Sequence, residues 1–438
     1  MKNLPSWILL VTTILLLSGN AAAQELMSLD EAVRIGLENN FSILIARNQS
    51  DIAANNNTLG NAGFFPTVSA QGTRTERIEN TTFATLDTET SFTGAESQST
   101  NASANLNWTI FDGTRMFITR DKLAELEHLS DRQLRLSIET YIAGITGIYY
   151  DIIRRKKTLE VLRNTVEISE ERVRIAETKR DLGSGSEFDL LQARSDLNAD
   201  RAAVIRQETL LNDAKVALNQ QLSREVDTSY LVADLIPLEG ELVYEQLVRQ
   251  ALAENPGLAV ARSDQRVTEL EIKEIQRERY PEIDLNVGYS YSRNESGGGF
   301  FQFNETDGLN YGITARINLF DGFDINRRAQ NARIRLRNQQ LAIEDQTNRI
   351  KAGLLSEYRS YQNSLRLVTL EEDNLDIAQQ SMEIALERFK LGTISSIELR
   401  EAQRTLIDAE NRLIQARFEA KVAETELMRL SGKLTERR

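Results

Sequence analysis

A mostly helical fold with a small transmembrane β part, built as two copies of one helical-hairpin and strand unit, is what this chain of 438 residues predicts. Three observations carry that expectation. Phe-Asp-Gly stands at 111–113 and again at 320–322, each time after an alternating apolar run and before a long charged run. From Gly113 to Gly183, and again from Gly322 to Gly392, 70 residues pass without a proline, as an uninterrupted helix requires. The runs before each Phe-Asp-Gly alternate with period two, the signature of strands.

The N-terminus reads as an export signal over residues 1–23. Lys2 supplies the charge, Trp7 to Leu17 the apolar stretch, and Ala21-Ala22-Ala23 the small residues before a cleavage that leaves Gln24 first. The apolar stretch is too short to anchor comfortably in a bilayer. No later segment approaches the ~18 apolar residues of a membrane helix. The mature protein is therefore secreted, periplasmic, or inserted in an outer membrane as strands. With no cysteine, disulfides, thiol chemistry and a cysteine-borne lipid anchor are all excluded. A net charge of −13 argues against a broad nucleic-acid surface. The one histidine, His128, lies in a polar helical run and has none of the partners that zinc or Ser-His-Asp chemistry needs. No cofactor, metal or catalytic residue is expected.

The repeats align residue by residue. "AVRIGLENNFSILIAR" (32–47) matches "LVRQALAENPGLAVAR" (247–262) at an offset of 215, and Phe65-Pro66 matches Tyr280-Pro281 at the same offset. The offset then falls to 209, at which the two Phe-Asp-Gly motifs match and "LGSGSEFDLLQA" (182–193) matches "LGTISSIELREA" (391–402). The six lost residues fall between the Pro and the Phe-Asp-Gly, in a strand-loop-strand region where insertions are tolerated. The first repeat is expected over 24–222, with strands at about 67–76 and 101–111, a long helix 113–182 and a helix 186–222. A linker follows at 223–240. The second repeat is expected over 241–432, with strands at about 282–292 and 308–320, a long helix 322–391 and a helix 395–430, before a tail of 433–438. Pro66 and Pro281 precede strands, Pro237 sits in the linker and Pro256 separates two short helices.

In "EIDLNVGYSYS" (282–292), Ile283, Leu285, Val287, Tyr289 and Tyr291 share a face. In "LNYGITARINLF" (309–320), Leu309, Tyr311, Ile313, Ala315, Ile317 and Leu319 do so, and Ala102, Ala104, Leu106, Trp108 and Ile110 repeat the pattern. The first strand is weakest, with Val68 and Ala70. Such alternation fits one face of a soluble sandwich as well as a membrane barrel. The context favours the barrel, because four strands separated by very long helices have no second sheet to pack on. Strands in a bilayer must close, so the expectation is an oligomer sharing one barrel. The polar segments between strands, roughly 76–100 and 293–308, are expected to be loops, with "SGGGFF" (296–301) at an outer tip.

Each 70-residue stretch spans roughly 105 Å as helix. After the tips, Leu190, Leu197, Val204, Leu211 and Leu218 recur every seven residues, as do Leu399, Leu406, Leu413, Ala420 and Leu427. Before the tips there are two series. Val161, Ile168, Ile175 and Leu182 run beside Leu159, Val166 and Val173. Leu370, Ile377, Ile384 and Leu391 run beside Val368, Leu375, Met382 and Phe389. Two residues are ~200° of helix rotation, so each long helix is expected to have neighbours on both flanks, as in a ring.

This ordered plan resembles the TolC family of outer-membrane efflux and export channels over nearly the whole mature chain. The resemblance rests on the duplicated strand-strand-Phe-Asp-Gly-helix order and on the two Leu-Gly tips, each followed by an acid and a leucine. It implies a homotrimer whose twelve strands form a β-barrel continuous with a long periplasmic α-helical barrel. Further implied partners are a periplasmic adaptor, an inner-membrane transporter and outer-membrane lipid, with no nucleic acid. Phe111 and Phe320 then become the last strand residues near the periplasmic membrane face, with Trp108 an interfacial anchor. Asp112 and Asp321 become N-caps, and Gly113 and Gly322 the turns from strand to helix. By the same resemblance, Leu182, Gly183, Ser184, Gly185, Leu391, Gly392 and Thr393 form adaptor-contacting tips. Glu398, Glu401 and Asp189 ring the pore, where crowding would raise their pKa values. The competing reading makes them first-turn acids facing a helix dipole. By the same resemblance, Ile394 stands where one member of the family carries an arginine that bonds across the closed mouth, and Phe389 replaces a tyrosine. A pore-less periplasmic coiled-coil or adaptor protein is the alternative function. No nucleophile-base pair, metal cluster or phosphate loop suggests an enzyme.

Overall fold

The computed structural model describes residues 26–84, 86–240, 242–298 and 301–435. The export signal, the last tail residues and part of the "SGGGFF" loop lie outside them. In chain order the elements are α1 (Leu29–Asn39), α2 (Phe41–Asn56), β1 (Thr67–Ala84), β2 (Glu89–Phe111), α3 (Arg115–Asp181), α4 (Glu187–Gln221), α5 (Tyr244–Glu254), α6 (Pro256–Arg277), β3 (Glu282–Ser296), β4 (Phe303–Arg316), α7 (Asp324–Lys390) and α8 (Ser396–Ser431). Helices α3 and α7 each have 67 residues. Neither is apolar enough to cross a membrane, nor is any other described helix. The chain divides into two compact bodies. One holds the residues up to Ile45 with Arg135–Asn255 and the chain from Asn348 onward. The other holds Ala46–Leu134 and Pro256–Thr347.

The second body contains one antiparallel sheet in the order β1-β2-β3-β4. Its register aligns the apolar positions across all four strands. Val68 faces Leu106, Leu106 faces Val287, and Val287 faces Tyr311. One residue on, Asn107, Asn286 and Gly312 make a polar row. The sheet therefore has an apolar face and a face of Asn, Ser and Thr. Many of the apolar side chains, including Val68, Tyr289, Tyr311 and Ile313, are exposed.

The first hairpin is longer than expected. Residues 76–84 and 89–100 are strand, not loop, and pair from Glu76↔Gln98 out to Ala84↔Glu89 with one irregularity after Glu79. The Thr and Ser of this stretch suit extended backbone, but with no core to face they show no apolar alternation. β3 also runs on to Ser296, and the fourth strand is shifted, starting at Phe303 inside the expected loop. It ends at Arg316, so Phe320 is not a strand residue, whereas Phe111 is the last of β2 and pairs with Ile283 of β3. Residues 317–320 have no strand beyond them to bond, and Ile317, Leu319 and Phe320 are exposed.

The joints also start their helices later than expected. Gly113 and Thr114 have φ of 72° and 70°, Gly322 and Phe323 of 64° and 65°. A left-handed pair cannot belong to the following helix. Gly113 is further constrained by space, since a Cβ there would lie 2.5 Å from the Tyr280 Cβ and 2.8 Å from the Arg277 carbonyl oxygen. The Ile325 N–H donates to the Asp321 carboxylate at 2.8 Å, so Asp321 caps α7. The Asp112 carboxylate instead faces the Arg115 guanidinium at 3.5 Å, and the expected cap at Asp112 is replaced by that ion pair. The Trp108 indole N–H donates to the Phe64 carbonyl at 3.0 Å.

The first body is helical. Its largest core joins α1 (Ala32, Val33), mid-α3 (Ile142, Ile145, Tyr149, Ile152, Ile153), the end of α4 (Leu211, Ala214, Leu218) and the linker residues Tyr230 and Val232. Met27 N–H donates to the Leu231 carbonyl at 2.9 Å, and the Tyr149 hydroxyl donates to the Met27 carbonyl at 2.9 Å. The two stripes of α3 part company near its end. Val173 packs with Ala176, Leu190 and Ala193 inside its own hairpin. Ile168 and Ile175 pack on Met382, Phe389 and Leu399 of the other hairpin.

Candidate functional site: the paired helical tips

Hairpin one (α3–α4) and hairpin two (α7–α8) end in turns of the same construction. Gly183 and Gly392 both have φ of 74°, a conformation that a side chain would strain. Ser184 N–H donates to the Lys179 carbonyl at 2.9 Å, and Thr393 N–H to the Arg388 carbonyl at 3.0 Å, the six-to-one bond of a glycine-terminated helix. The hydroxyls of Ser184 and Thr393 donate to the same carbonyls at 3.1 and 3.0 Å. Leu182 and Leu391 end up 77% and 78% exposed, as isolated apolar tips.

The turns hand over to α4 and α8 through serine caps. Ser186 accepts from Phe188 N–H at 3.1 Å. Ser395 accepts from Glu398 N–H at 3.3 Å while its own N–H donates to the Glu398 carboxylate at 2.7 Å, completing a capping box. That backbone bond holds the Glu398 carboxyl below its ordinary pKa, with the Ser395 hydroxyl helping. In the single chain the direction is thus opposite to that expected of crowded acids. The three acids are not brought together. Asp189 is exposed on the wall of a cleft of about 760 Å³ between the tips, lined also by Glu171, Lys179, Phe389 and Ile394. Glu398 is folded back on its cap, and Glu401 is exposed one turn further along α8.

Of the residues that join the hairpins, Phe389 and Ile394 were singled out from sequence, and the polar ones were not. Lys179 Nζ donates to the Phe389 carbonyl at 2.5 Å and lies 4.1 Å from the centre of its ring. Phe389 is buried, and Ile394 packs against the same apolar cluster. Together Phe389 and Ile394 build an apolar contact between the hairpins. Further from the turns a buried polar group spans three helices. Arg400 of α8 donates twice to Asp200 of α4, at 2.8 Å each. Ser169 of α3 donates to Asp200 at 2.6 Å, and Gln403 of α8 donates to Ser169 Oγ at 2.9 Å and to the Thr165 carbonyl at 3.1 Å. Arg172 of α3, wholly buried, pairs with Asp196 of α4. The hydrogen bond from Arg400 to Asp200 raises the pKa of the guanidinium further. One signal was available. Asp200 lies three residues after Leu197, in a heptad series where α4 otherwise has Ala193, Gln207, Ala214 and Gln221, so it is the one charge of that series.

Comparison with known proteins places this geometry. The profile of the family described as outer membrane efflux protein matches residues 33–224 and 247–433. The alkaline protease secretion protein AprF of Pseudomonas aeruginosa is 23% identical over 316 residues, covering 70% of this chain and 64% of that protein. The outer membrane efflux protein BepC of Brucella suis biovar 1 is 22% identical over 340 residues, covering 75% and 71%. The solved structure of CusC superimposes with a TM-score of 0.75 over 95% of each chain at 17% identity.

Proposed function

The chain belongs to the outer membrane efflux protein family, and from that premise we propose that it is the exit duct of a tripartite efflux or type I secretion system. It resides in the outer membrane. In this reading three copies close one twelve-stranded barrel and one helical tunnel, and the duct conducts without catalysing. An inner-membrane transporter and a periplasmic adaptor pass small molecules or polypeptides into it, and the adaptor meets the exposed tips around Leu182 to Gly185 and Leu391 to Thr393. Repeats 24–222 and 241–432, with the linker 223–240 between them, are its structural units.

One observation carries this reading. Surfaces by which repeat one meets repeat two have open counterparts on repeat two. Thr67↔Asn107 in the first hairpin and Glu282↔Arg316 in the second are the same pair under the repeat offsets. Between repeats, β2 meets β3 with Asn105 opposite Gly288. The same offsets set Thr314 of β4 opposite Thr73 of β1 in the next copy, and Phe320 opposite Val68. On the helices, Ile168 and Ile175 of α3 pack on hairpin two, while their equivalents on α7, Ile377 and Ile384, are 65% and 61% exposed. A further copy of the chain covers both. The apolar sheet face then meets lipid, and the Asn, Ser and Thr face meets water. A pore-less adaptor would leave that apolar face in water.

At the mouth, Glu398, Glu401 and Asp189 form the pore ring once three tips meet, with Glu398 held ionised by Ser395. Single-channel recording tests both parts. The wild-type protein is expected to conduct, and Glu398→Ala with Glu401→Ala to weaken block by divalent cations. Unchanged block removes the ring, and absent conductance removes the duct.

A further inference from the structure

Lys215 of α4 and Glu424 of α8 are equivalent under the repeat offset of 209, and they stand in opposite situations. Glu424 is buried, pairs with Lys421 at 2.9 Å and accepts from the Glu239 N–H at 3.2 Å. Beside it, Leu238 of the linker packs on Val368, Leu413 and Ala416. A piece of peptide, an apolar side chain followed by an N–H, thus fills this place in repeat two.

In repeat one the place is open. A cleft of about 210 Å³ lies between α3 and α4 beside the linker, walled by Leu159, Leu211 and Val232, with Lys156, Arg163 and Lys215 among its charged residues. Leu159 is the equivalent of Val368 and packs with Leu211 inside hairpin one, so the cleft does not lie on the seam between hairpins. Its charges are matched except one. Lys156 pairs with Asp234, Arg163 with Glu208 and Glu160 with Lys157. Lys215 has no carboxylate within ion-pair reach among the described residues, and its ammonium lies 5.8 Å from the centre of the Tyr230 ring. Burial and the Lys156 charge hold its pKa below the usual lysine value. A second cation, Arg224, lies 4.7 Å from the same ring, bonds to Asn219 through Nε, and leaves its buried Nη2 without a hydrogen bond. A chain of net charge −13 has carboxylates to spare, yet it offers none here.

The complementary occupant carries an aliphatic group for Leu159, Leu211 and Val232 and an anion for Lys215. The volume equals about seven waters at ~30 Å³ each, enough for one small residue and too little for a long acyl chain. Inorganic phosphate would leave the apolar wall bare. We propose that this cleft binds the C-terminal carboxylate of a peptide whose last residue is small and aliphatic, with Lys215 as the counter-ion and one site in each copy. It is the reversed-charge counterpart of the linker seat at Glu424. Two sources carry that chemistry in the periplasm, soluble peptides and the peptide stems of the cell wall. The site stands whether or not the duct conducts.

Isothermal titration of the purified protein with acetyl-trialanine tests the site. Wild type is expected to bind the free acid about tenfold or more tighter than its C-terminal amide, and tighter than inorganic phosphate. Lys215→Met keeps the aliphatic stem and is expected to weaken binding by about tenfold or more. Leu231→Glu sets a carboxylate on the half-exposed rim and is expected to block the site. Lys215→Arg keeps the charge and is expected to retain binding, which tests the site even if Lys215→Met fails to fold. Co-sedimentation with isolated cell-wall sacculi separates the sources. Pelleting that Lys215→Met abolishes assigns the site to wall stems, and peptide binding without pelleting assigns it to soluble peptides. Equal affinity for acid and amide overturns the site. So does an unchanged Lys215→Met, phosphate binding as tight as the peptide, or a wild type that binds no peptide at millimolar concentration.

Discussion

Ile168 and Ile377 hold the same place in the two repeats and have different surroundings. Ile168 packs on the core of Met382, Phe389 and Leu399, while Ile377 stands in the open. The strands show the same inequality. Phe111 closes a ladder against β3, and Phe320 lies beyond the end of β4, where it meets only the Phe323 ring of its own joint and no neighbouring strand. Equal sequence with unequal burial marks where a neighbour belongs. The repeat that is complete within the chain supplies a template for the one that is not, down to the register of its strands.

The largest expected effect separates folding from assembly. Ile377→Asp or Ile384→Asp places a charge on the open stripe of α7, so the chain is expected to keep its helicity and lose its oligomer in sedimentation velocity. Ile168→Asp, at the filled counterpart, is expected to destabilise the chain itself by about 3 kcal/mol, read from thermal unfolding. An Ile377→Asp protein that assembles like wild type breaks the equivalence.

A smaller contrast lies at the joints. Gly113→Ala and Gly322→Ala share a left-handed penalty of about 1–2 kcal/mol. Gly113→Ala adds an overlap with Tyr280 and the Arg277 carbonyl, worth about 1–3 kcal/mol more, whereas no such neighbour lies near Gly322 in the single chain. Urea unfolding of dissociated chains is expected to show the difference. The proposed assembly sets Phe65 of the next copy in the part of Tyr280, so the gap is expected to narrow there. A gap that stays the same on assembly counts against that placement.

The smallest effect compares the tips. Ser395→Ala removes a capping box and Ser186→Ala a single cap, so hydrogen exchange in the first turn of α8 is expected to speed up by a few-fold, and more than in α4. The pH dependence follows from Glu398. Its carboxyl is held below the ordinary value by the Ser395 N–H, so its contribution is complete above the ordinary carboxylate range. It is lost as pH falls through the lowered value. Acid is thus expected to loosen the second tip first, and equal loosening of both contradicts this.

Much of this was legible in sequence because it is local chemistry. Glycine turns at Gly183 and Gly392, the strand faces and the double stripe on α3 each follow from a few neighbouring residues. The capping box at Ser395 and Glu398 was also written there, and it favours the first-turn role for that acid in the single chain. What was not legible depends on partners far along the chain. Arg400 reaches Asp200 across 200 residues, and no spacing rule names that partner, although the one charge in that heptad series of α4 was a sign that one existed. The outer half of the first hairpin was missed for a different reason. Its Thr- and Ser-rich strands face no core, so they carry no alternation to read.

The central claim is that β4 of one copy continues the sheet into β1 of the next, in the register that repeat one already uses with repeat two. Oxidation of the Thr73→Cys, Thr314→Cys double variant tests it directly, with Thr73→Cys, Gly312→Cys as the register-shifted control. The account predicts efficient cross-linking of the first pair into a ladder that ends at three chains, and little from the second. Monomers throughout, or equal yields from both pairs, would contradict it.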